Sequence, residues 1–368
     1  MRIVHGLAYY GNYFGGIQHS VNQVSRRQFS AGHEVKIITS DMFDKSDIID
    51  NVPVKRLKTL FTVFRVPLMP TLFFALLEED CDVLHVYLPL PSLDVCAMLK
   101  KKLHARTKLV VSIRNLLSNP TTWVARVAGN IHDKGTIRMA IESADAIVFT
   151  TKEFPLSLPY EIPKEKMFVV PNGIDTDLFH PEPDYSFNPD QILFVGRLIP
   201  EKGLHILMRA VRIVQKEFPN IRLVAVGPDY YNQKEYRSKV LALDNDFLEL
   251  HARASPRELA RLYRNSAVFV LPSIGLESFG NVLMEAMASG CPVICTDLPG
   301  PNALVRSGSS FEVGSVVPKG NVEELSLAIM NELRNNNRTR RKKIREFAKS
   351  RASWDSVTRQ LISIYKRC

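Results

Sequence analysis

Cysteine is scarce in this sequence. Five residues, Cys81, Cys96, Cys291, Cys295 and Cys368, are spread over 368. An odd number at such separations builds no disulfide framework and predicts free thiols in a reducing compartment. Cys291 and Cys295 flank an apolar run that reads as a buried strand, and no second pair completes a zinc site. No run of about 18 apolar residues occurs, so no segment reads as a membrane span. The opening residues, MRIVHGLAYY, read as a first strand and not as a charged-then-apolar export signal, so a cytoplasmic protein is expected. No two glycines are separated by a single residue, which removes the G-x-G-x-x-G dinucleotide fingerprint and argues against a dehydrogenase. A Gly-Lys dipeptide for a Walker loop is missing, as are H-E-x-x-H and G-x-S-x-G. The acidic pairs Asp175/Asp177 and Asp244/Asp246 read as loop acids in preference to a divalent-metal site.

What is present is a globular composition, 45% hydrophobic and 23% charged, in a chain long enough for two domains with sizeable cores. The net charge is +10, and it is unevenly placed: from Arg334 to Cys368 there are 12 Lys/Arg against two Asp/Glu. The basic character therefore belongs to a tail. Two readings of that tail stay open, a solvated helix face and a grip on anionic lipid or acidic polymer. The tail lacks interleaved aromatic and basic residues, so no nucleic-acid partner is expected.

Short Val/Ile-rich runs alternate with helical patterns. Arg2–His5, Glu34–Thr39, Val83–Tyr87, Lys108–Ile113 and Ala146–Thr150 read as strands. After the proline-rich, acidic stretch HPEPDYSFNPD the rhythm restarts, with strands at Ile192–Val195, Ile221–Val226, Val268–Pro272 and Pro292–Thr296. Leu204, Leu207, Met208, Val211 and Val214 form one stripe of a helix over Leu204–Phe218. This predicts an α/β protein of two doubly wound domains with helices on both faces of parallel sheets. The expected boundaries are 1–182, a linker at 183–190, and 191–352, with a closing segment at 353–368. Ligands in such folds bind at the carboxyl ends of the strands.

Three segments carry chemistry. Gly196-Arg197-Leu198-Ile199-Pro200-Glu201-Lys202-Gly203 follows a strand and opens a helix, so Arg197 and Lys202 form an anion site or a solvated loop. In the run from Gly275 to Val293, Glu277 lies in a loop and Phe279 to Val282 form the first turn of a helix over Gly280–Ala288. Glu285 lies among Leu283, Met284, Ala286 and Met287. A carboxylate on an apolar helix demands a partner, either ligand hydroxyls or a neighbouring protein group. Gly15-Gly16 after the first strand is either a tight turn or a place where a diphosphate approaches the backbone.

Together these segments resemble the GT-B-fold retaining glycosyltransferases, specifically glycosyltransferase family 4. The segments GGIQHSVNQVSRRQFSAGHEVKIIT, VPNGIDTDLF, FVGRLIPEKG, the Glu277-x7-Glu285 run and Ser353-Trp354 carry the resemblance over most of the chain. It implies two Rossmann-like domains facing a cleft, with a C-terminal helix crossing back to the first. It also implies that Arg197 and Lys202 hold the donor diphosphate, that Glu277 binds donor-sugar hydroxyls, and that Glu285 binds ribose hydroxyls. Phe279, Gly280, Asn281 and Val282 would contact sugar and phosphate through backbone amides. Gly15, Gly16 and Asn172 would reach the donor from the first domain, and Arg253 would lie in the stretch that meets the base. The implied reaction moves a sugar from a nucleoside diphosphate, UDP- or GDP-linked, to a hydroxyl of a glycan or lipid-linked acceptor. It retains anomeric configuration and needs no metal or other cofactor, because cations and helix termini stabilise the leaving group.

Other features mark the acceptor side. Tyr87 and the run Ser112-Ile113-Arg114-Asn115 stand where many family members carry histidines, and Pro299-Gly300-Pro301-Asn302 replaces a Gly-Ile-Pro-Glu segment. His85, Tyr87, Arg114 and Asn115 are the acceptor-side candidates, with a satisfied core histidine as the other reading of His85. The apolar stretch Leu57–Leu77 reads as core, as a surface lying on a membrane, or as the lining of a lipid-acceptor groove. Two alternatives to a transferase remain, a GT-B-like sugar-nucleotide epimerase or hydrolase, and a non-enzymatic protein binding anionic lipid or nucleic acid through its tail.

Overall fold

Val- and Ile-rich runs separated by helices bury both faces of a sheet only when the strands run parallel. The computed structural model has this arrangement twice. It describes residues 1–10, 16–63, 66–114, 134–158, 161–228, 236, 238, 240, 246–275, 277, 279–306 and 313–368. The chain divides into two compact units, Met1–Gly173 with Trp354–Cys368, and Ile174–Ser353.

The first unit contains β1 (Arg2–Gly6), α1 (Gly16–Ser30), β2 (Glu34–Asp41), β3 (Lys45–Ile49) and β4 (Val52–Lys58). A hairpin of β5 (Phe61–Val63) and β6 (Val66–Leu68) follows, then α2 (Leu72–Glu78), β7 (Val83–Leu88), α3 (Pro91–Leu103), β8 (Lys108–Ile113), α4 (Thr136–Ser143), β9 (Ala146–Phe149) and β10 (Met167–Val169). Eight strands lie in the order β10-β9-β8-β7-β1-β2-β4-β3. All pair in parallel except β3, which is antiparallel to β4. The inner strands β7 and β9 are buried along their whole length, as strands covered by helices on both faces must be.

The second unit contains β11 (Asn188–Val195), α5 (Leu204–Val214), β12 (Arg222–Val226), β13 (Leu248–His251), α6 (Pro256–Asn265), β14 (Ser266–Leu271), α7 (Asn281–Ala288), β15 (Val293–Thr296), α8 (Pro299–Arg306), β16 (Gly314–Val317), α9 (Val322–Asn335) and α10 (Arg338–Ala352). Its six strands are ordered β13-β12-β11-β14-β15-β16 and all pair in parallel. The apolar stripe of α5 is buried from Leu204 to Val214, as its period predicts. α6 starts at a capping box, with Ser255 and Glu258 each accepting the other's backbone N–H.

The proline-rich stretch does not separate the units. The chain passes from one to the other at Gly173/Ile174, and residues 183–190 belong wholly to the second. The reason is packing: Ile174 and Phe179 are buried in that unit's core, and the Arg341 guanidinium lies 4.5 Å from the Phe187 ring centroid. Proline and acid content marked a surface path here, not a division.

The last helix, α11 (Trp354–Arg367), returns to the first unit. Trp354, Val357, Leu361, Ile364 and Tyr365 recur at helical spacing and pack with Ile3, Val83, Val110 and Val148. Gly173 makes room for this return, since a Cβ there would lie 2.2 Å from the Trp354 ring.

Beneath α11 lies a buried polar network. His85 Nδ1 is 2.6 Å from the Tyr365 hydroxyl, and His85 Nε2 is 2.8 Å from Ser112 Oγ. His5 Nε2 is 2.7 Å from Gln28 Oε1, and the Tyr87 hydroxyl lies 3.3 Å from a ring nitrogen of each histidine. Strands β1, β7 and β8 and helices α1 and α11 thus meet through hydrogen bonds that leave these side chains satisfied. Burial lowers both histidines, His5 from 6.5 to about 4 and His85 well below its ordinary value. The folded state keeps them neutral while the unfolded chain takes up protons below its ordinary histidine value. Stability is therefore lost as pH falls from about 6.5 to about 4, by about 3 kcal/mol from His5 alone. Urea unfolding midpoints between pH 7.5 and 4.5 should show this decline, and His5→Gln should make it shallower. An unchanged acid slope in the variant would remove His5 from the account.

Candidate functional site

Strands β11 and β14 are neighbours, yet the chain leaves them in opposite directions. From β11 it runs to β12 and β13, and from β14 to β15 and β16. Such a switch opens a crevice at the carboxyl ends of the two strands. The loop Gly196–Gly203 follows one strand and the segment Ser273–Gly280 follows the other, so two of the three chemical segments of the sequence meet here.

Backbone bonds hold the two loops together: the N–H groups of Ile274 and Gly275 donate to the Glu201 carbonyl at 2.8 and 3.1 Å. Gly203 sits at φ +74°, where a Cβ would lie 2.0 Å from the Pro272 carbonyl oxygen, so no other residue fits between the loop and the strand end. The Lys202 ammonium forms an ion pair with the Glu277 carboxylate, and both side chains are less than one-fifth exposed. Arg197 is exposed on the same loop.

Helix α7 begins beside Glu277. Its N-cap is Gly280 at φ +87°, which supplies no side-chain cap. The helix starts at Asn281, one residue later than its sequence pattern indicates, because Gly280 adopts the left-handed conformation. First-turn N–H groups and the helix dipole favour an anion at such an end. The Phe279 side chain is buried in the core, so only its backbone is available to a ligand. Val282 is partly buried against the same core.

Glu285 lies one turn further along α7. The Tyr263 hydroxyl on α6 donates to Glu285 Oε2 at 2.9 Å. Burial pushes the Glu285 carboxyl up from 4.5 to about 6, and the tyrosine hydrogen bond opposes that rise. The partner that this carboxylate demanded is thus supplied by the protein on one oxygen. Nothing in the periodicity of α6 marked Tyr263 as functional. Its only signal was its place with Ala260 on the buried face.

Other predicted residues fall elsewhere. Arg253 is exposed just beyond β13, two strands from β11. Gly16 is the exposed first residue of α1 in the first unit, and Gly15 lies outside the described residues. Asn172, also in the first unit, accepts a hydrogen bond from Arg114 at 2.5 Å. Arg114 is buried beside Tyr87, its guanidinium 5.8 Å from that ring's centroid. His85 and Tyr87 were candidates for the acceptor side; the structure gives them to the core, 0% and 3% exposed within the network under α11. The physical reason is their position on β7, an inner strand covered on both faces. Asn115 lies outside the described residues. Asp175 behaves as a loop acid, its Oδ1 accepting the N–H groups of Asp177 and Leu178 at 3.1 Å. Asp244 lies outside the described residues.

The basic tail is partly structural. Arg341 is wholly buried and donates to the carbonyls of Ser266 and Arg264, at 2.9 and 2.7 Å. Arg345 donates to those of Phe179, Ala288 and Thr176, at 2.6, 2.8 and 2.7 Å. These arginines cap the carboxyl ends of α6 and α7, where a cation is favoured. Residues such as Lys342, Lys343, Lys349, Lys366 and Arg367 remain exposed.

Two family models match the chain: "Glycosyltransferase Family 4" over residues 14–178 and "Glycosyl transferases group 1" over residues 178–351. The chain is 27% identical to an uncharacterized glycosyltransferase of Methanocaldococcus jannaschii, covering 100% of this chain and 98% of the relative. It is likewise 27% identical to a phosphatidyl-myo-inositol mannosyltransferase of Mycobacterium leprae, covering 96% and 93%. Among solved structures, Anabaena HepE in complex with UDP superposes with a TM-score of 0.80 at 17% identity over the whole of both chains. Sucrose-phosphate synthase from Thermosynechococcus elongatus does so at 0.76 and 19%, covering 100% and 99%. These likenesses show the GT-B fold.

A partly buried carboxylate with a raised pKa destabilises the fold wherever it is ionised. That cost is present above about pH 6 and vanishes below 4.5, where the group is neutral in both states. Glu285→Gln should therefore raise stability at pH 7.5 by about 2 kcal/mol and give no gain near pH 4. Thermal unfolding at the two pH values measures this. Equal melting of variant and wild type at pH 7.5 would contradict it.

Proposed function

From the premise that the chain belongs to the GT-B glycosyltransferases of family 4, we propose that it is a retaining transferase using a nucleoside diphosphate sugar. The observation that carries the proposal is the Lys202–Glu277 ion pair at the β11/β14 crevice, just before the start of α7, with Arg197 exposed on the loop that carries Lys202. A diphosphate is the ligand that one guanidinium, one ammonium and a helix N-terminus suit. HepE forms complexes with UDP and with UDP-glucose, which supports a donor of this class here.

The site's groups then act as follows. Arg197 and Lys202 neutralise the charge that develops on the diphosphate as its bond to the sugar breaks. Lys202 turns from Glu277 to do so, and Glu277 is released to accept hydroxyls of the donor sugar. Glu285 accepts ribose hydroxyls. The acceptor hydroxyl bonds to the anomeric carbon on the face the diphosphate leaves, and its proton passes to the departing phosphate oxygen. The protein positions the partners and stabilises charge, without a metal in the chemistry. The acceptor is a hydroxyl of a glycan or a lipid-linked glycan. The mannosyltransferase relative's name points to a lipid-borne acceptor in that protein.

A cytoplasmic protein working at an anionic membrane surface fits the first unit. Of 14 exposed large hydrophobics among the described residues, seven lie between Met42 and Phe74: Met42, Phe43, Ile48, Leu60, Phe61, Leu68 and Phe74. The loop at Met42 is held to the end of β4, just before β5, with Thr59 N–H donating to the Asp41 carbonyl at 2.9 Å and Lys58 N–H to Asp44 Oδ1 at 2.8 Å. Apolar side chains gathered in this way suit insertion among lipid headgroups. Among the described residues no helix is long and apolar enough to cross a membrane.

Two experiments test these readings. Lys202→Ala and Arg197→Ala should each weaken binding of nucleotide sugars by about 10–100-fold in calorimetry while melting stays near wild type. Unaltered binding by both variants would end the donor assignment. In flotation with anionic liposomes, the wild type should rise with the lipid and a Phe61→Ser/Phe74→Ser double variant should not. Failure of the wild type to float at any salt concentration would dismiss the membrane reading.

A further inference from the structure

Tyr263 is fully buried, and two aromatic rings fix it in place. Phe269 and Phe179 meet it edge-on, with centroids 5.4 and 5.9 Å away. A ring so enclosed cannot swing, so its hydroxyl points at one place. That place is Glu285 Oε2, at 2.9 Å. A phenol has one proton to donate, and here it is committed to this carboxylate.

We propose that Tyr263 is a positioning residue for donor recognition: its hydroxyl anchors one oxygen of Glu285 so that the other meets the ribose hydroxyls of a nucleoside diphosphate sugar. The inference rests on the donor reading of Glu285 given above and adds a residue that touches no substrate itself. The carboxylate on α7 is flexible by nature, with three side-chain torsions. Anchoring one oxygen lowers the ordering cost at binding.

The anchor also acts on ionisation. A hydrogen bond donated to a carboxylate favours its charged form, while burial disfavours it. At Glu285 burial is the larger effect and has pushed the group up to about 6. Removing the phenol's proton donor leaves burial unopposed, so the carboxyl titrates at still higher pH. Other groups around α7 do not substitute. From α10, Arg341 and Arg345 spend their guanidiniums on backbone carbonyls. Cys295 on β15 and Cys291 just past α7 are neutral thiols, each raised by burial. Strand β14, SAVFVL, presents no titratable group.

The test uses the full-length protein with UDP-glucose and GDP-mannose as probes, since an esterified diphosphate does not itself titrate near neutrality. Dissociation constants are measured by calorimetry from pH 5.5 to 8.5 for wild type, Tyr263→Phe and Glu285→Gln. For wild type, binding of the preferred probe should weaken as pH falls through about 6. In Tyr263→Phe the lost anchor should weaken binding about 2–3-fold even at pH 8.5, where Glu285 is ionised, and the pH-dependent loss should begin higher than in wild type, so that the deficit grows to about 10-fold near pH 7. A deficit of constant size at every pH, or no deficit, would overturn the inference and leave Tyr263 a packing residue. Glu285→Gln separates the two levels. If it binds the probe as wild type does at pH 8.5, the donor reading of Glu285 fails. If it binds weakly while Tyr263→Phe keeps the wild-type pH profile, the donor reading stands and the anchor is disproved. Failure of both probes to bind wild type would count against the donor reading and this inference together.

Discussion

Two adjacent parallel strands from which the chain departs in opposite directions set the terms for the second unit. Because β11 and β14 lie side by side, their following loops must share the same end of the sheet without a helix covering the gap. The ammonium of Lys202, the carboxylate of Glu277 and the start of α7 all owe their proximity to that departure. Glu277 and the start of α7 are close in sequence, but Lys202 lies 75 positions from Glu277. The loops are then locked by backbone bonds to the Glu201 carbonyl and by the absence of a Cβ at Gly203. A charged crevice is thus held at the carboxyl end of the sheet's two central strands, where small displacements of its groups are resisted by the strands beneath.

Burial of polar groups is the recurring cost, and each instance is met by a specific partner. In the first unit two histidines, two tyrosines, a glutamine and a serine satisfy one another under α11. In the second, Arg341 and Arg345 reach inward to carbonyls at the ends of α6 and α7. A guanidinium has five donors in a planar fork, which is why arginine and not lysine occupies these places. Part of the tail's positive charge is therefore spent on holding helix ends, and only the remainder faces solvent.

Sequence reading recovered much of this. Strand–helix alternation and the Val/Ile-rich runs indicated two parallel sheets, and the stripe of α5 emerged with its buried face as expected. The segments carrying Arg197, Lys202, Glu277 and Glu285 were legible because their residue types are costly without a purpose: cations before a helix, and an acid on an apolar one. The unit boundary was misplaced because proline and acidity report surface exposure, whereas the division depends on which core Ile174 and Phe179 enter. His85 and Tyr87 were ambiguous because a polar residue on a strand reads alike whether it faces a ligand or a buried partner.

The order of residues alone determined that there would be two α/β units, that α11 would have one apolar face, and that a cluster of charge would follow the first strand of the second unit. Those properties follow from local period and chemical type, which neighbouring residues set between them. Tertiary structure alone decided that Tyr263 meets Glu285, that Tyr365 meets His85 across 280 positions, and that Lys202 pairs with Glu277 across 75. Such pairings depend on which strands become neighbours and on how closely backbones approach, and no pattern of local spacing encodes either.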